Sequence, residues 1–326
     1  MDKIKHGILG VLIGDALGLP VQFNDRSWFS KHPVSTMIGN GVFNKPLGSW
    51  SDDGSLTLAL ASSLSEGYDL EGIMKEFEAW LFYGKYTQDG QAYDMGQTTM
   101  NAIMNYHRGI PVSKCGGKTY YDNGNGSLMR ILPLVFYLRA KYGKYFTQKS
   151  QAMSIIHEVS ALTHGHELAK MSCGIYLSIA NELCNGEPLR KGIEQGIQKA
   201  ILYYSSDPLF KKVNNEYDRL QDIESFSKLS SKQIGSSGFV KDTLEASIWC
   251  LLNTSTYQEA VLMAVNLGND TDTTAAVCGG LAALSYDTLP NDWINAIHGI
   301  EQVDSICTSL EIQLEKTKAA YKLSPL

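Results

Sequence analysis

Two short acidic runs hold the side chains with which this chain could do chemistry. The first is Trp50-Ser51-Asp52-Asp53-Gly54-Ser55 and the second is Gly268-Asn269-Asp270-Thr271-Asp272-Thr273-Thr274. Each stacks two carboxylates beside hydroxyls just before an apolar stretch of helical spacing, Leu56, Leu60, Leu64 in one case and Ala275 to Leu284 in the other. Either run alone suits a helix start, because Ser and Asp side chains satisfy the free amides of a first turn and favour its positive dipole end. Together they point further. No Lys or Arg occurs from Leu47 to Glu66 or from Val261 to Pro290, so four carboxylates gathered by the fold would repel one another and need a cation. Hard oxygen ligands without His or Cys favour Mg²⁺ or Mn²⁺ over Zn²⁺. Two such ions could share bridging carboxylates, hold a sugar's hydroxyls and polarise a water.

The elements that must position these runs are helices. Apolar residues recur at helical spacing in Ile4, Ile8, Leu12 and in Leu9, Ile13, Ala16, while strand-like alternation is scarce. Further helices are predicted for Leu70 to Tyr83, Thr98 to His107, Ser150 to Leu162, Glu167 to Leu183, Leu189 to Tyr204, Phe239 to Asn253, Tyr257 to Leu267, Thr273 to Ser285 and Asn291 to Tyr321, the last broken near Ile300. That exceeds the usual third by far and defines an all-α chain. Gly7, Gly10, Gly14 and Gly18 fall on one side of the first helix, where another helix or a ligand can approach its backbone.

Bulk composition narrows the partners. The 326 residues carry 28 Lys and Arg against 34 Asp and Glu, a net charge of -6 without the basic excess that holds nucleic acid or anionic membrane. Gly7, Gly10, Gly14 and Asp15 interrupt the apolar start and no small-residue cleavage site follows, so no signal peptide is expected, and no window is expected to reach the roughly 18 apolar residues of a membrane span. Six scattered cysteines, with no CxxC spacing, fit a reduced cytoplasm. No linker or repeat divides the chain, and 1–326 reads as a single domain, with Ser205 to Ser237 as a polar excursion from its core.

Six segments in order resemble the ADP-ribosylglycohydrolase family: Gly14-Asp15-Ala16-Leu17-Gly18, Trp50 to Gly54, Tyr93-Asp94-Met95-Gly96-Gln97-Thr98-Thr99, Gly124-Asn125-Gly126-Ser127-Leu128-Met129-Arg130, Thr163-His164 and Asn269 to Thr274. The resemblance implies an all-α fold, a compact orthogonal multi-helix bundle around a dinuclear Mg²⁺ or Mn²⁺ cleft. By it, Ser51, Asp52 and Asp53 form one half of the metal shell and Asp270, Asp272 and Thr273 the other. Asp94 would orient water or protonate the leaving group, with Asp53 and Asp270 acting beside it. Gly124, Asn125, Gly126, Ser127, His164, Asn269 and Gln22 would face ADP-ribose, the Gly124 to Ser127 turn offering backbone amides to a diphosphate. Arg130 could hold phosphate or pair with an acid, and His164 equally suits a structural role.

One residue departs from the family pattern. Many relatives carry glutamate where this chain has Gln22, and an amide cannot take a proton from water. The expected activity is metal-dependent hydrolysis of the glycosidic bond between ADP-ribose and a macromolecule or small molecule. Two alternatives stand beside it: an ADP-ribose-binding or structural protein of the same fold, and a metal hydrolase of another phosphorylated nucleoside. The acceptor, whether arginine, serine, nucleobase or acyl ester, is not legible.

Overall fold

A computed structural model describes residues 3–323, with side chains to 321. Its helices are α1 (Lys3–Gly18), α2 (Arg26–Phe29), α3 (Asp52–Leu64), α4 (Leu70–Tyr83), α5 (Gln97–His107), α6 (Pro133–Tyr142), α7 (Ser150–Ala161) and α8 (Glu167–Cys184). The second half adds α9 (Leu189–Ser206), α10 (Ile223–Ser227), α11 (Val240–Leu252), α12 (Tyr257–Val265), α13 (Thr271–Ser285), α14 (Asn291–Ala296) and α15 (Ile300–Leu323). Among the described residues extended backbone pairs only at isolated bridges, Asn40 with Lys45, Gly117 with His164 and Gly124 with Phe239. The all-α expectation holds, and most helix ends fall within two residues of those read from periodicity.

α1 lies along α13, and α1 also packs on α3. The glycine stripe makes the first contact possible. A Cβ on Gly14 would stand 2.2 Å from the Ala275 carbonyl oxygen, and one on Gly18 would stand 2.3 Å from the Asp272 amide, distances at which any side chain would push the backbones apart. The stripe therefore serves helix packing, not a ligand. Nearly all of α1 is buried, Ile8, Val11, Leu12, Ile13 and Leu17 completely.

The expectation that no window is apolar enough to span a membrane needs correction. By length and composition Lys3–Val21 passes that test, with a mean hydropathy of 1.4 over its best window. The physical reason is its central place in the fold, where 94% of that window is buried against other helices. A helix covered on every side carries no polar face.

The excursion after α9 folds back onto the core as short turns and α10, burying Phe210, Tyr217, Leu220 and Phe226. Arg26 ties it down, donating from Nε to the Leu267 carbonyl at 2.8 Å, from a terminal nitrogen to Ile234 at 2.9 Å, and also to the Ser231 carbonyl. One guanidinium thus holds three loops together, a task suited to its fixed fork of donors.

Candidate active site and metal centre

The two acidic runs meet because α1 stands between them. Asp52 and Asp53 occupy the first turn of α3, behind the cap residue Ser51, and Asp270 opens α13 with Asp272 in its first turn. Asp52, Asp53 and Asp272 therefore sit in first turns, and Asp270 at the N-cap position just before α13.

Asp15, from the buried face of α1, completes the cluster. Its carboxylate accepts the Ser51 amide at 2.9 Å and the Gly54 amide at 2.8 Å, satisfying free donors at the start of α3 from another helix. Asp15, Asp53 and Asp272 can each offer an oxygen such that all three lie within 4.8 Å of one another. In the sequence Asp15 stands out as an interruption of an apolar run and as part of the Gly14 to Gly18 segment, without a metal or catalytic role assigned to it. The available signal was an acid on an all-apolar helix with no Lys or Arg from His6 to Asp25, which must find its donors elsewhere in the fold.

The electrostatics follow from burial and crowding. Burial first, and the neighbouring carboxylates second, raise Asp52, Asp53 and Asp272 well above the ordinary carboxylate range. Burial likewise pushes Asp15 up to about 7, with the Ser51 and Gly54 amides opposing it. Both carboxylate oxygens of Asp272 and Oδ1 of Asp53 are buried without a hydrogen-bond partner. Asp53 Oδ2 accepts the Ser51 hydroxyl at 3.1 Å and the Thr273 hydroxyl at 3.3 Å. Oxygen-only donors, unpartnered and mutually repelling, fit hard divalent cations.

Above the cluster opens a cleft of about 590 Å³. Asp52, Asp270 and Thr273 face it from the acidic end, together with Asp94, Gln22 and Asn269. Asp94 sits in the loop before α5 at φ +57°, a left-handed backbone uncommon outside glycine. Burial first, and the charge of Asp270 beside it, raise it to about 6. The departure at Gln22 therefore places an amide on the same cleft wall as Asp94.

The other end of the cleft is built from Gly124, Asn125, Gly126 and His164. Here the turn opens a short 3-10 segment, Asn125–Ser127, and α6 begins only at Pro133. The turn is braced against the excursion: the Asn125 amide donates to the Gly238 carbonyl at 3.0 Å, so it is already engaged. The Asn125 side chain donates to Asp270 Oδ2 at 2.7 Å and to the Thr243 hydroxyl at 2.9 Å. His164 bonds the Thr163 hydroxyl at 2.8 Å, and burial, with Arg130 nearby, lowers its pKa to about 3, so the imidazole is neutral.

Two residues are not brought to the cleft. Ser127 is fully buried, its hydroxyl accepting from Ser160 at 3.0 Å, because the 3-10 turn directs it into the core. Arg130, also fully buried, neither reaches the cleft nor pairs with an acid. It donates to the Gly126 carbonyl at 2.5 Å and the Thr163 hydroxyl at 2.8 Å, and lies 4.6 Å from the Phe77 ring centroid. Phe23, Met95, Ser237 and Gly238 line the cleft without having been singled out as ligand contacts. Their types carry no chemical signal in sequence.

Comparison with known proteins identifies the family. The ADP-ribosylglycohydrolase family model matches residues 1–320. An ADP-ribosylarginine hydrolase, Tri1, of Serratia proteamaculans is 29% identical over 95% of this chain and 79% of its own length. An ADP-ribosyl-[dinitrogen reductase] glycohydrolase of Rhodospirillum rubrum is 25% identical, covering 91% of this chain and 90% of that protein. A solved structure titled ADP-ribosylglycohydrolase-related protein complex superposes with a TM-score of 0.74 at 26% identity, over 97% of this chain and 98% of the other. With a buried acidic cluster at the end of a cleft and a family match over nearly its whole length, the chain belongs to the ADP-ribosylglycohydrolase family of hydrolases.

Proposed function

We propose that this chain hydrolyses the glycosidic bond between the distal ribose of ADP-ribose and its acceptor, releasing ADP-ribose. The observation that carries the reading is the cluster of Asp15, Asp53 and Asp272 beneath Asp52 and Asp270, with buried oxygens left unpartnered. Ser51, Asp52, Asp53, Asp270, Asp272, Thr273 and Asp15 would hold two Mg²⁺ or Mn²⁺ ions. Such ions supply charge stabilisation and fix the orientation of ribose hydroxyls and water.

The rest falls to the chain's own groups. Gly124, Asn125 and Gly126 line the diphosphate side, and neutral His164 closes its floor without adding charge. Asp94, raised to about 6, exchanges a proton near neutrality. As carboxylate it aligns water and accepts its proton while the water oxygen bonds to the anomeric carbon. The bond to the acceptor breaks with its electron pair on the acceptor atom, which then takes up the proton. Positioning and electrostatics contribute most of the acceleration.

The test is release of ADP-ribose from a panel of arginine, serine, nucleobase and acyl-ester conjugates, with added Mg²⁺ or Mn²⁺ and read by mass spectrometry. Arginine conjugates head the panel because two similar proteins are named ADP-ribosylarginine hydrolases. Asp53→Asn and Asp270→Asn should abolish release. A variant as active as the parent, or calorimetry showing no divalent-cation binding, overturns the reading. Gln22 against Asp94 supports one other reading, a protein that binds ADP-ribose without turnover, which ligand binding with no release from any conjugate would establish.

A further inference from the structure

The mouth of the cleft carries an aromatic rim that the proposed chemistry does not use. Phe23 follows Gln22 directly and is 65% exposed on the cleft wall. Its backbone stands at φ +69°, where its N–H donates a hydrogen bond to the Asn269 carbonyl at 2.7 Å, a conformation that a bulky residue keeps only when its surroundings impose it. Phe43 stands 6.3 Å from Phe23, and Tyr93 stands 5.7 Å from Phe43, centroid to centroid. The rim thus runs from the residue after Gln22 to the residue before Asp94. It is rigid as well: the loop carrying Phe43 presses on the turn before Gln22, where a Cβ on Gly41 would meet the Pro20 carbonyl oxygen at 2.0 Å.

Three observations define what this rim would take. Phe23 and Phe43 form adjoining apolar surface beside a polar cleft, and such a patch rimmed by polar residues marks a ligand-binding groove. The rim already receives a cation on one face, since Lys45 Nζ lies 4.1 Å from the Tyr93 ring centroid. Among the described residues that line the cleft none is Lys or Arg, so no side-chain cation of the lining competes for the face of the Phe23 ring.

Resting on the reading that bond cleavage occurs at the acidic end, we propose that Phe23 is a specificity residue whose ring face stacks on a planar cationic acceptor, the guanidinium of an ADP-ribosylated arginine. A guanidinium suits the place because it stacks on aromatic faces and is weakly hydrated. Neutral acceptors such as serine gain nothing from a ring quadrupole.

The experiment compares the parent with Phe23→Ala and Phe23→Leu, the latter keeping apolar bulk without a π face. For each, kcat/KM is measured on an arginine-linked and a serine-linked ADP-ribose conjugate, and ADP-ribose affinity is measured by calorimetry. Both variants should lower the arginine-to-serine preference about tenfold, chiefly through KM for the arginine conjugate. ADP-ribose affinity should change much less. An unchanged preference overturns the assignment. So does an equal loss in ADP-ribose affinity, which would place the ring on the ADP-ribose side. A parent that cleaves only uncharged linkages defeats this proposal alone, while one that cleaves no ADP-ribosyl linkage defeats the proposed function with it.

Discussion

The side-chain amide of Asn125 donates to Asp270 Oδ2 at 2.7 Å, joining the glycine turn to the acidic cluster along the cleft wall. The same amide group reaches Thr243 on α11, so the carboxylate is oriented by a side chain that is itself anchored. Partners of this kind set the direction and basicity of a ligating oxygen.

Asn125→Ala should therefore weaken divalent-cation binding roughly 10- to 100-fold, with the fold retained. Calorimetric titration with Mn²⁺, alongside a far-ultraviolet circular dichroism spectrum, checks this. Unchanged affinity would mean that Asp270 needs no external orientation.

Asp272 presents two buried oxygens without partners. In metal-free protein this is a liability, so Asp272→Asn should raise metal-free stability by about 1 to 3 kcal/mol, because one member of a repelling buried cluster loses its charge. The same variant should lose the stabilisation that added Mg²⁺ or Mn²⁺ gives the parent. Thermal unfolding with and without the ion reads both effects. A variant less stable than the parent without metal would contradict the account of crowding.

Gln22 and Asp94 line the same cleft. Gln22→Glu supplies a second group able to accept a proton from water, and kcat should rise several-fold. Equal or lower turnover of the arginine-linked conjugate at saturating substrate would show that Asp94 already does this work alone.

Stability should also respond to pH through His157, away from the cleft. Its ring lies 3.0 Å from the Tyr204 hydroxyl and 4.9 Å from the Phe210 ring, and burial lowers its pKa to about 3 from 6.5. A folded-state pKa below the unfolded value means that the unfolded chain binds more protons in between. The contribution is complete above about pH 6.5 and is lost as pH falls toward 3, at no more than about 1.4 kcal/mol per pH unit. His157→Gln should flatten the acid limb of denaturant-derived stability relative to the parent. An unaltered slope would refute it.

Much of this molecule was written in local sequence. α4 begins and ends where periodicity placed it, at Leu70 and Tyr83, with Asp69 accepting amides at one end and Gly84 in a left-handed turn at the other. The break before Ile300 coincides with Gly299 at φ +68°. The four acids of the two runs were legible because nothing basic lies near them in sequence. Asp15 was not, since its partners are 36 and 39 residues away, on a helix whose packing partner no local pattern reveals. Ser127 misled for a related reason: a glycine-rich turn signals a backbone bend but not which way the following hydroxyl points. Arg26 and Phe23 act through loops whose meeting depends on the whole fold.

The seating of α1 on α13 sets an order of events during synthesis. Residues near the amino terminus must wait until those around position 270 have been made before the acidic centre can close, so a partly translated chain has no complete ion site. Loss of either end would leave carboxylates buried without counter-charge. Closing the acidic centre draws together segments more than 250 residues apart, such as Gly18 and the Thr271 hydroxyl that bonds its carbonyl.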